Sequence, residues 1–94
     1  MHIGIVLHRK MSKPLPKWIM KKYSVLWAKF RDKEFNHSTA FEELNEDSMT
    51  SIALSELRKN GWLDIQLDPL DARKRLYRLK SPEAAVREMA KDSD

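Results

Sequence analysis

Arg73, Lys74 and Arg75 stand in succession, and Arg78 follows three residues later. Guanidinium and ammonium groups this close together neutralise phosphates and release their counterions, so this stretch is where an anionic polymer would be held. The 94-residue chain has a formal net charge of +4, which points the same way, although net charge bears on field and solubility rather than fold. A second set of groups lies upstream in "SMTSIALSELRK", where Ser48, Ser51 and Ser55 accompany Ile52 and Lys59. Serine hydroxyls both donate and accept hydrogen bonds. Bidentate Arg on guanine or Asn on adenine, the stronger discriminators between bases, are missing from that set.

Other chemistries find no support. There is no cysteine, hence no disulfide, no thiolate zinc site and no cysteine nucleophile. His2, His8 and His37 are scattered without clustered carboxylates, so no metal site and no cofactor are expected. Neither a nucleophile elbow nor a glycine-rich phosphate loop is present. Glu42 and Glu43 are adjacent, and adjacent helical residues do not face each other. The expectation is a protein with no catalytic residues. The apolar run in "MHIGIVLHRK" is too short for a signal peptide or a membrane span, which implies a soluble, cytoplasmic protein with no membrane partner.

The positioning elements follow from pattern. Residues 2–8 suit a short strand or an extended arm. Pro14 and Pro16 break the chain, and a helix starts at Pro16, with Trp18, Ile19, Tyr23, Leu26, Trp27 and Phe30 recurring at three- and four-residue steps. These aromatic residues, with Phe41 and Trp62, are expected in the core. Phe35 would lie on a brief strand pairing with a later hairpin. Thr39 and Glu42 have capping-box spacing, predicting a short helix over 39–45 with Phe41 and Leu44 facing the core. Asp47 or Ser48 would cap a third helix, which buries Ala53, Leu54 and Leu57 and ends at Asn60-Gly61. Residues 62–67 and 75–79 alternate as two strands joined by a long polar tip over 68–74. Ser81-Pro82-Glu83 opens a last helix through Ala84, Ala85, Val86, Met89 and Ala90.

This order of elements, with Leu54, Leu57, Gly61, Leu63, Asp71, Arg73, Tyr77 and Leu79 at their places, resembles the second half of small winged helix-turn-helix regulators, notably MarR-type, PadR-type and related archaeal proteins. The resemblance covers roughly residues 16–90 and is specific only over 48–80. It implies an α+β winged helix-turn-helix with a three-helix core, a wing of two to three strands and a C-terminal helix. The chain would form one domain over 1–94: an N-terminal arm or strand (1–15), the winged-helix core (16–80) and a C-terminal helix and tail (81–94).

The resemblance further implies double-stranded DNA binding in transcription regulation, with the third helix in the major groove and the wing on backbone or minor groove. At about 100° per residue, Ser48, Ser51, Ile52, Ser55, Glu56 and Lys59 lie opposite the Leu54/Leu57 stripe, and all of these except Glu56 become candidate DNA contacts. Glu56 would repel phosphate. Arg73, Lys74 and Arg75 are the candidate wing contacts, with Asp71 orienting Arg73, and Lys17, Lys21 and Arg58 are possible further phosphate contacts. Strand alternation would turn Arg73 and Arg75 one way and Lys74 the other. A homodimer is expected through the N-terminal segment, the C-terminal helix or both. The alternative is a winged helix used as a protein-interaction module in a larger assembly, favoured by the weakly basic third-helix face.

Overall fold

A computed structural model describes residues 11–91, as α1 (Lys17–Phe30), α2 (His37–Glu43), α3 (Thr50–Lys59), β1 (Leu63–Asp68), β2 (Asp71–Leu79) and α4 (Pro82–Lys91). The strand or arm expected over 2–8 lies outside the described residues.

On α1, Ile19, Tyr23 and Leu26 recur at helical spacing and are buried against Ala53, Leu54 and Leu57 of α3, with Trp62 and Leu63 closing the core. Complete burial of Ile19, Leu26 and Leu57 contributes roughly 1.5–3 kcal/mol each. Trp18 departs from the expected core set and is 39% exposed. It is adjacent to Ile19 in sequence but lies on a separate stripe with Lys21 and Val25, which lines a surface groove with Met49 instead of entering the core. Trp27 and Phe30 are half-buried at the core margin, and Phe41 is half-buried beneath the His37 ring.

The α2 helix starts earlier than its spacing suggests. Asn36, not Thr39, is the N-cap, and its side chain accepts from the Thr39 amide at 2.9 Å. The Thr39 hydroxyl in turn accepts from the Asn36 amide at 3.2 Å. Thr39 is therefore the returning member of the capping box, and Glu42 has no part in it. Between α2 and α3, Asn45 and Glu46 take left-handed φ of 60° and 56°. Neither Asp47 nor Ser48 is the N-cap of α3: Met49 holds that position and makes no side-chain cap bond. Asp47 instead accepts the Met49 amide at 2.8 Å on its carboxylate, and its backbone carbonyl accepts from the Thr50 amide and hydroxyl.

Gly61, with φ of 82°, ends α3 in a conformation that a side chain disfavours. The chain then enters an antiparallel hairpin that pairs Leu63 with Leu79, Ile65 with Tyr77 and Leu67 with Arg75. The long tip over 68–74 is not formed. Asp68 accepts the Leu70 amide at 2.8 Å and Asp71 accepts the Arg73 amide at 3.0 Å, and Pro69 has the restricted φ that a turn needs. The reversal is thus confined to Pro69-Leu70. The register then slips, so that Asp68 pairs with Asp71 and residues 72–74 bulge from β2. On the other side of β2, Phe35 forms an isolated bridge with Tyr77, the brief third pairing expected of it. Ser81 caps α4 by accepting the Ala84 amide at 3.1 Å, as its spacing predicts.

The first described residues are stitched onto this frame. The Ser12 hydroxyl donates to the Gly61 carbonyl at 3.0 Å, the Lys13 amide donates to the Asn60 carbonyl at 2.9 Å, and the Trp62 indole N–H donates to the Lys13 carbonyl at 2.7 Å.

Candidate nucleic-acid interface

The face of α3 opposite its leucines is exposed, as the angular pattern requires, at Ser51, Ile52, Ser55 and Lys59. Ser48 is exposed too, but it lies in the turn before the helix. Glu56 is half-buried and pairs with Lys59 at 3.4 Å, and the Asn60 side chain donates to the Glu56 carbonyl at 2.9 Å. The acid on this face is therefore partly neutralised by its own neighbour. Arg58 is exposed in the last turn, where a cation also complements the negative end of the helix.

On α1, Lys17 and Lys21 are exposed. Lys21 lines a shallow groove of about 470 Å³ with Trp18, Val25 and Met49, next to the start of α3. The adjacent Lys22 bonds the Asp47 carboxylate, which holds that carboxyl below its ordinary value; the Met49 amide adds to the effect.

The wing cations are arranged by the bulge. Arg73, Lys74 and Arg75 all line one groove of about 460 Å³, where plain strand alternation would have divided them between two faces. The Arg73 guanidinium Nε lies 3.4 Å from Asp71 Oδ1, the orienting pair expected from sequence. Arg78 points elsewhere and pairs with Glu34 at 3.2 Å, while Gln66 donates to the same carboxylate oxygen at 2.8 Å.

The opposite wall of the groove is the start of α2, with Asn36, His37 and Ser38. His37 Nε2 lies 2.9 Å from Ser51 Oγ on α3, and its ring stacks on Phe41 at 6.3 Å. His37 thus joins the two groups of residues that sequence reasoning kept separate: the hydroxyl-bearing face of α3 and the basic strand. No local spacing points to it, because the interaction spans the α2–α3 turn. Among the described residues no cluster of three or more potential metal-binding side chains occurs, and no helix is long and apolar enough to cross a membrane.

The frame that holds these groups is an α+β winged helix-turn-helix, with α2–α3 as the helix-turn-helix and β1–β2 as the wing. Among solved structures it is similar to the adhesin competence repressor of Streptococcus pyogenes, with a TM-score of 0.50 and 16% identity over 81% of this chain and 53% of the repressor chain. The chain thus spans about half the length of that repressor, and the likeness is one of fold. No protein-family model and no curated protein matches the sequence.

Proposed function

We propose that this chain is a single winged-helix domain that binds double-stranded DNA and regulates transcription, with the exposed face of α3 in the major groove and the basic bulge of β2 on backbone or minor groove. The observation that carries this reading is the shared groove. His37 and Ser38 form one wall, Arg73, Lys74 and Arg75 form the other, and the Ser51 hydroxyl is bonded into it through His37. A helix-turn-helix fold supports it, and so does the repressor named for the similar structure. The resemblance to MarR-type and PadR-type regulators belongs to the same reading. The face of α3 is short of strong base readers, so selectivity would come from half-site spacing in a homodimer and from DNA shape. Val86 on α4 is 58% exposed and would lie in that dimer contact if the C-terminal helix forms it.

Fluorescence anisotropy with a random duplex at two salt concentrations tests the reading. Arg73→Ala with Arg75→Ala should weaken binding and lower the salt slope by about 0.9 for each phosphate that is no longer neutralised. Unchanged affinity and slope would remove the wing from the interface.

A second reading, protein contact, is favoured by a specific surface: Trp18, Val25 and Met49 are exposed around the groove on α1. Failure to bind any duplex at low salt would move the assignment there.

A further inference from the structure

The hydrogen bond between His37 and Ser51 has chemical consequences for a bound polyanion. Histidine is the side chain whose charge changes between about pH 5 and 8, and Ser51 is the second residue of α3, at the end of the helix that reaches base edges in helix-turn-helix complexes. Nε2 of a ring protonated only at Nδ1 accepts the serine proton. Ser51 Oγ then presents only lone pairs outward, which repel phosphate oxygens and the acceptor edge of guanine. In the imidazolium both nitrogens donate. Nε2–H bonds Oγ, the hydroxyl proton is released to an outside acceptor, and the ring adds a positive charge to the groove. The proton comes from solvent.

The groups around the ring favour a charged ligand over an empty groove. From β2 come Arg73, Lys74 and Arg75, from β1 the carboxylate of Asp68, and from α2 itself the polar Asn36 and Ser38. Phe41 supports the ring from behind. A phosphate in the groove would neutralise these cations and accept from both the imidazolium and the Ser51 hydroxyl.

We propose that His37 is a phosphate-contacting and positioning residue that sets the hydrogen-bond polarity of Ser51, so that duplex binding takes up a proton. This rests on the DNA-binding reading above and adds to it a named residue on α2 and a pH dependence.

The test is a titration of the full chain with a fluorescent random duplex between about pH 8 and about pH 6 at fixed salt. His2→Gln and His8→Gln are introduced beforehand, so that His37 is the remaining histidine. The dissociation constant should fall on acidification by roughly threefold to tenfold, well inside the roughly hundredfold that one linked proton allows over two pH units. The salt slope at the lower pH should be steeper by about 0.9, one phosphate contact. His37→Gln keeps a donor for Ser51 but has no proton to gain, so its affinity and salt slope should be the same at both pH values. Ser51→Ala keeps the charge and loses the relay, so a smaller pH effect should persist. Matching melting temperatures for these variants and their parent establish an intact fold. Binding that is equal at the two pH values, or a pH effect that survives His37→Gln, overturns this proposal and leaves DNA binding standing. Absence of duplex binding at every pH overturns both.

Discussion

Lys80, just after β2, and Glu88 on α4 form an ion pair beside the Ser12 amide, which donates to the same Glu88 oxygen at 3.0 Å. The hydrogen bond from Lys80 holds the Glu88 carboxyl below its ordinary value, and those from Ser12 add to it against the opposing effect of partial burial. A carboxyl with a lowered folded-state pKa contributes stability that is complete above its unfolded value near 4.5 and fades as pH falls through the folded value. Thermal melts should therefore lose stability on acidification below that value, and Glu88→Gln should flatten this part of the profile. At neutral pH the substitution should cost about 1–3 kcal/mol, because it replaces a charged acceptor of the largely buried Lys80 ammonium and of the Ser12 amide by a neutral one.

Asn36→Ala removes the acceptor of the α2 capping box. The expected cost is about 0.5–2 kcal/mol in denaturant unfolding. Amides at the start of α2 should exchange faster with solvent, since the Thr39 amide is then without its acceptor.

The Tyr23 hydroxyl donates to the Lys80 carbonyl at 2.6 Å, and the ring meets Trp62 edge-on at 4.8 Å. Burial pushes this phenol well above its ordinary value. Tyr23→Phe should destabilise by about 0.5–1.5 kcal/mol with the aromatic packing retained. In the unsubstituted protein, near-ultraviolet titration should show that this phenol ionises only together with alkaline unfolding.

If α3 faces DNA, Glu56 is an unfavourable charge there, only partly offset by Lys59. Glu56→Gln should tighten duplex binding by roughly 0.5–1 kcal/mol, a few-fold in dissociation constant, as read by anisotropy at moderate salt. Weaker binding would place this acid in a direct interaction, such as one with a cytosine amino group.

What the sequence made legible were features governed by one element's own periodicity. The leucines of α3, Gly61 as its stop, the Ser81 cap of α4 and the Asp71–Arg73 pair are all local, and the structure has each of them in place. The bridge from Phe35 to Tyr77 was legible as an apolar residue in search of a strand. What stayed hidden depends on competition or on distance. The Thr39/Glu42 spacing pointed to a cap inside the helix, whereas Asn36 caps α2 with Thr39 as its partner. The tip of the wing looked long because every residue there is polar or turn-forming; two aspartates that accept backbone amides instead closed it in two residues. Trp18 is apolar at a helical step, yet it lines a surface groove with Lys21 and Val25 outside the core. His37 was out of reach of any spacing rule, because its partner belongs to another helix.

The hydrogen bond between Ser12 and Glu88 makes the described polypeptide nearly a closed ring, with entry and exit side by side at the Gly61 end of α3. A helix of ten residues is about 15 Å long, so that junction stands well away from Ser51 and the groove. The ring is therefore suited to circular permutation. A short linker could join Lys91 to Met11, and a new opening at Pro69-Leu70, where Leu70 is 95% exposed, would cut the backbone where little packing crosses it. The same geometry offers a practical handle: a fluorophore attached at Lys91 would sit on the side of the molecule remote from the groove.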